Sequence, residues 1–148
     1  ISMAIKVLNA HVEWKGGSVA EGTARGFKVT VDEPVEQGGT NTSMNPLEML
    51  LCALGGCLTL MVNAFARKFR VEVKSLSIEL EGDFDSDGLT GRNPDARKGF
   101  SDIRYKMHIV SDSPEENISK LYEYIEKHCP VRDTLRGVNV SGEYVVEK

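Results

Sequence analysis

Apolar and polar positions alternate along residues 5–14, Ile-Lys-Val-Leu-Asn-Ala-His-Val-Glu-Trp, as in a strand with one face turned inward. Lys15-Gly16-Gly17 predicts a turn, and the alternation at 26–31 predicts a second or third strand. Residues 38–44 form a polar, glycine-containing loop. Two longer alternating runs, 71–84 and 103–110, predict strands separated by a polar loop at 85–99 rich in Asp, Gly and Arg. Ser113-Pro114-Glu115-Glu116 opens a helix ending near His128, with Ile118, Leu121, Tyr122 and Ile125 on one face. A short helix follows from Cys129-Pro130 to Arg136, closed by Gly137, and residues 138–146 are a last strand. Strands grouped ahead of and between helices predict an α+β fold, as one domain spanning 1–148.

The segment from Asn45 has a different period. Asn45-Pro46-Leu47-Glu48 reads as a helix start: Asn at the N-cap, Pro in the first turn, and Glu placed to close a capping box. The helix is expected to run to about Phe69. Residues 49–66 are eighteen positions without a charge, the lower edge of a membrane span. Gly55, Gly56, Thr59 and Asn63 interrupt that stretch and amphipathic strands flank it, so it reads as a helix buried on nearly all faces. A chain this small has difficulty covering such a helix alone, which predicts a second subunit over it.

Composition narrows the function. Of 148 residues, 41% are hydrophobic and 27% charged, with a net charge of -4. This is ordinary globular composition with no basic footprint for nucleic acid or an anionic membrane. Ile1 and Ser2 precede Met3 and read as cloning remnants, and no secretory leader is expected behind them. Three cysteines do not make a disulfide scaffold, so a cytoplasmic location is expected.

Cys57 follows Gly55-Gly56 inside the apolar helix. Two glycines there point to close approach of another backbone or a small substrate, although an inert buried thiol has the same signature. Cys129 directly precedes Pro130 at the start of the short helix, where unsatisfied N–H groups favour a thiolate. By local position alone it is the easier thiolate of the two. Cys52 lies about 140° around the helix from Cys57 and reads as core packing. Cys52, Cys57, His128 and Cys129 have poor spacing for zinc. Asp83-Phe84-Asp85-Ser86-Asp87-Gly88 imitates a calcium loop but meets Pro94 where the last ligand belongs. His11 and His108 fall on strands without an identifiable partner. Glu48 is accounted for by capping; alternatively it orients a basic residue near Cys57. No phosphate-cradling or dinucleotide motif is present.

Three stretches together change this picture. They are Asp32-Glu33-Pro34 through Gly38-Gly39-Thr40-Asn41-Thr42 to Asn45-Pro46-Leu47-Glu48 and Gly55-Gly56-Cys57; Asp95-Ala96-Arg97-Lys98-Gly99-Phe100-Ser101-Asp102; and His128-Cys129-Pro130-Val131. With them the chain resembles the OsmC family, which includes the organic hydroperoxide resistance proteins. The resemblance implies antiparallel sheets around long central helices in an intertwined homodimer. It implies a stress-response peroxidase in which Cys57 is the peroxidatic thiol and Cys129 the resolving thiol. The substrate would be an organic hydroperoxide or hydrogen peroxide, and the reductant a dithiol, with no metal and no organic cofactor. The family's site uses an arginine held by a glutamate. Glu48 stands one place later than in the organic hydroperoxide resistance branch, and Arg25 is the candidate arginine, with Lys15 as the fallback. Two rivals remain: a non-enzymatic binder of small apolar ligands, and a thiol acyl-transferase or hydrolase, which lacks an identifiable His base.

Overall fold

The computed structural model describes residues 4–148, so the expectation for Ile1 and Ser2 lies outside the described residues. The chain divides into two compact units, Ile1–Leu50 and Leu51–Lys148.

The first unit is an antiparallel meander of β1 (His11–Trp14), β2 (Ala20–Ala24) and β3 (Phe27–Val31). The Arg25-Gly26 corner between β2 and β3 has positive φ at both residues, the geometry a tight hairpin requires. Register places Val12, Gly22 and Val29 in one row and Trp14, Ala20 and Val31 in the next, so one face of the sheet is apolar. His11, Glu13, Glu21 and Lys28 share the opposite face, where Glu21 and Lys28 pair. On the apolar face Trp14 is 76% and Phe27 68% exposed.

The alternation predicted from residue 5 starts as a strand only at His11, because β2 pairs with His11–Trp14 alone. After β3 the chain makes a single 3-10 turn at Val35–Gln37 and then the expected polar loop. Helix α1 (Pro46–Phe65) begins in this unit. It stops at Phe65 rather than near Phe69, giving way to a 3-10 turn, Arg67–Phe69, closed by Arg70 in the left-handed conformation.

In the second unit β4 (Ser75–Phe84), β5 (Phe100–Val110) and β6 (Asn139–Glu147) form a sheet in the order β4-β5-β6. Between β4 and β5 the predicted loop contains a short helix, α2 (Ser86–Thr90), capped by Asp85. Asp83 is held by both terminal nitrogens of Arg104, so these acidic side chains serve local structure. The antiparallel expectation holds for β4 and β5. β5 and β6 run parallel, because α3 (Glu115–His128) and α4 (Pro130–Thr134) cross over between them.

The core lies on one face of this sheet. Ile103, Tyr105, Met107 and Ile109 of β5 are buried, as the two-residue period demands. Against them sit Ile118, Leu121, Tyr122 and Ile125 of α3, the stripe expected from the sequence, and Leu54, Leu58 and Val62 of α1. Each such side chain contributes roughly 1.5–3 kcal/mol relative to exposure. Phe65 and Phe69 close one end, each tilted against the Tyr124 ring.

Within one chain α1 is buried along one stripe only. By length and composition it could cross a membrane, with a mean hydropathy of 1.7, yet only 22% of that stretch is buried. A single chain covers the stripe of Leu54, Leu58 and Val62, while Leu60 on the far side is 68% exposed.

Candidate thiol site

The start of α1 is held as its sequence predicts. Asn45 Oδ1 accepts the Glu48 N–H at 2.9 Å and Glu48 Oε2 accepts the Asn45 N–H at 2.8 Å, a complete capping box. Upstream, the loop is gathered around Asp32, which is 1% exposed. Its carboxylate accepts from the Ser18 hydroxyl, the Glu33 amide, and both the amides and hydroxyls of Thr40 and Thr42. The hydroxyls of Ser18, Thr40 and Thr42 hold this carboxyl far below the usual carboxylate range, against the opposing effect of burial. Gly39 is needed in the loop because a Cβ there would overlap the Glu33 carbonyl.

Within the second unit, α1 presents Cys57 from a half-buried position beside the buried Leu58. The adjacent glycines play different parts. At Gly55 a Cβ would lie 2.8 Å from Leu80 Cδ1, so its absence lets the helix settle on β4; at Gly56 the space is open. Cys129 joins α3 to α4. Its N–H donates to Ile125 O at 2.9 Å, ending α3, and its carbonyl accepts the Asp133 N–H at 3.0 Å, starting α4. Pro130 fits at the first position of α4, where no donor is needed.

These constraints bring the two sulfurs together. Cys129 Sγ donates to Cys57 Sγ at 3.1 Å across 72 residues of sequence. Both are free thiols, and Cys129 is 1% exposed. The reading of Cys129 as the easier thiolate is corrected here. Burial pushes its thiol up to about 11; amides of Arg132 and Val131 oppose the rise, and the hydrogen bond to Cys57 adds to it. Helix-end amides do reach this sulfur, but desolvation outweighs them.

The remaining sequence candidates divide. Cys52 was expected in the core and is exposed, since the chain covers only the opposite stripe of α1. Arg25, in the β2–β3 turn, holds its guanidinium 5.3 Å from the Phe27 ring centroid. Lys15 pairs with Glu13 and Glu21. His128 stacks on Tyr124 and bonds its carbonyl through Nδ1 at 2.8 Å. His108 pairs with Glu79 on the exposed face of the sheet.

Sequence reasoning missed a polar group beside Cys129. Glu126 accepts from Tyr105 at 2.5 Å and from Tyr122 at 2.8 Å, and Arg132 bonds two backbone carbonyls. Burial, reinforced by the bond to Glu126, raises both tyrosine hydroxyls well above their ordinary range. The only advance signal was an arginine three residues after Cys129, one turn along a helix.

Comparison with known proteins gives the chain relatives in both sequence and fold. Residues 39–143 match the family described as OsmC-like protein. A hydroperoxide reductase of Mycoplasma genitalium is 29% identical over 115 residues, covering 76% of this chain and 75% of that protein. Among solved structures, an OsmC-like protein from Mycoplasma pneumoniae superposes with a TM-score of 0.84 at 20% identity, over 97% of this chain and 99% of the other. An organic hydroperoxide resistance protein OsmC from Legionella pneumophila gives a TM-score of 0.68 at 19% identity, over 95% and 98% of the two chains.

Proposed function

The chain belongs to the OsmC-like family, and from that premise we propose that it is a thiol-dependent peroxidase acting on organic hydroperoxides through Cys57 and Cys129. The observation that carries the proposal is the 3.1 Å approach of the two sulfurs. The Cys57 thiolate attacks the terminal oxygen of the hydroperoxide. The S–O bond forms as the O–O bond breaks; the alcohol leaves with a proton, and sulfur remains as sulfenic acid. Cys129 then attacks the Cys57 sulfur, the disulfide forms, and hydroxide departs with the thiol proton as water. A dithiol reductant restores both thiols by exchange.

Division of labour between the sulfurs follows from their surroundings. Burial raises the Cys129 thiol, which makes it the poorer first nucleophile toward peroxide and leaves it to react with the Cys57 sulfenic acid beside it. Cys57 needs a cation to hold it as thiolate. The proposal keeps Arg25 in that role, with Glu48 orienting it, on the family pattern.

Neither a metal nor an organic cofactor enters the cycle, and the proposal keeps the cytoplasmic location. A second copy of the chain is proposed to cover the exposed side of α1 and the apolar face of the first sheet, giving a homodimer. The test is mass spectrometry after one equivalent of cumene hydroperoxide. A Cys57–Cys129 disulfide is expected; persistence of both free thiols would overturn the assignment.

A further inference from the structure

We propose that Arg132 is a positioning residue of the resolving step: its guanidinium pins the corner at Cys129-Pro130 between α3 and β6, keeping the Cys129 sulfur against Cys57 after oxidation. The inference rests on the peroxidase reading above and deepens it.

The last turn of α3 leaves carbonyls without partners inside the helix. Arg132 Nη1 reaches back to one of them, Glu126 O, at 3.3 Å. Nη2 donates to Val140 O at 3.0 Å on β6, an edge strand. A single planar group thus spans the end of α3, the body of α4 and the sheet; a lysine, with one nitrogen, lacks this fork. These two contacts are kept although Nε is buried without an acceptor.

The anchor is itself fixed. Glu126 Oε1 stands 3.9 Å from Arg132 Nη2 and takes hydroxyls from Tyr105 on β5 and Tyr122 on α3. Tyr105 reaches it by lying across Gly142 of β6, where any Cβ would overlap the ring. Arg132 also lies within the first turn of α4, which the Asp133 N–H closes onto the Cys129 carbonyl at 3.0 Å. A movement of Arg132 therefore reaches Cys129 through this turn of helix.

Resolution is the step sensitive to this anchor. Cys129 must attack the Cys57 sulfenic sulfur along the S–O bond, forming S–S as S–O breaks and water leaves. Peroxide attack on Cys57 does not use the Cys129 sulfur. Loss of Arg132 should therefore separate the two steps.

The test is single-turnover kinetics on the full chain with cumene hydroperoxide, comparing wild type with Arg132→Ala and Arg132→Lys. In Arg132→Ala, oxidation of Cys57 should proceed at the wild-type rate. Disulfide formation should slow on the order of 10–100-fold, as small misplacements of reacting groups do. Sulfenic acid should then become trappable by dimedone, and excess peroxide should carry it to sulfinic acid. Should Arg132→Ala not fold, Arg132→Lys, which can satisfy one carbonyl, should show the same partition at smaller amplitude. A role confined to stability would lower the melting temperature without changing the ratio of the two rates. Unchanged disulfide formation in a folded variant would overturn the inference alone; a wild type forming neither sulfenic acid nor disulfide would overturn the peroxidase reading.

Discussion

The Cys129 thiol donates its hydrogen to the Cys57 sulfur at 3.1 Å. At that separation the second covalent step needs only a short displacement of either side chain. Cys57→Ser is expected to abolish consumption of organic hydroperoxide. Cys129→Ser should permit one turnover and then stall as sulfenic acid. Peroxide loss in the presence of a dithiol, with dimedone labelling of the stalled form, checks both.

Thiol reactivity should follow exposure and protonation. In a Cys52→Ala background, which removes the exposed thiol, Cys57 should be alkylated first. Cys129 should resist at neutral pH and gain reactivity only as pH approaches about 11. Its folded value is raised, so its contribution to stability is complete below the unfolded thiol value of about 8.5 and is lost as pH rises through the folded value. Peptide mass mapping across pH reads the order of labelling. Cys129 labelling ahead of Cys57 would reverse the assigned roles.

Asp32 gives the opposite dependence on pH. Its folded value is depressed by the hydroxyls of Ser18, Thr40 and Thr42, so its stabilisation is present above the unfolded value of about 3.9 and declines as pH falls below it. Every neighbour donates to this carboxylate, and an amide NH2 in its place would meet donors. Asp32→Asn is therefore expected to melt at lower temperature at neutral pH and to lose part of the acid-induced destabilisation. Thermal melts from neutral to acid pH measure both effects.

What was legible in the sequence was periodic or local. The α3 stripe, the capping box at Asn45 and Glu48, and the strand alternation of β4 and β5 each depend on neighbours a few residues away. The cysteine pairing was legible only through family resemblance, since no spacing rule joins positions 57 and 129. Misplaced expectations involve quantities set by the whole fold. Position at a helix start suggested an acidic Cys129, but the burial that reverses this comes from distant residues. The uncharged helix showed that cover was needed, but not which stripe of it one chain supplies. The Arg132 anchor joins the end of one helix to an edge strand, and neither contact has a sequence signature.

Glu48 can be divided into its two candidate roles. Glu48→Ala removes the side chain that accepts the Asn45 amide and should cost about 1 kcal/mol, the usual value for a lost helix cap. Glu48→Gln retains an acceptor of the same reach and should keep most of that stability. The charge is gone, however, so if Glu48 orients the cation serving Cys57, peroxidase activity should fall in Glu48→Gln while the melting temperature holds. Arg25→Ala should match that loss of activity. Equal activity in Glu48→Gln and wild type would leave Glu48 as a cap alone.

The second subunit is open to a direct test, because its proposed contacts are apolar side chains left bare. Leu60 stands 68% exposed on α1, and Trp14 and Phe27 are 76% and 68% exposed on the first sheet. Placing a charge among such side chains costs nothing in a monomer, where each is already in water, and is strongly unfavourable once they are desolvated. If the proposed dimer forms, Leu60→Lys and Phe27→Lys are therefore expected to shift it toward monomer in light scattering and to make the melting temperature fall as protein is diluted. A wild-type chain that is monomeric at high concentration would exclude the proposed dimer. Unchanged dimers in both variants would place the interface elsewhere, and the bare side of α1 would then need a different occupant.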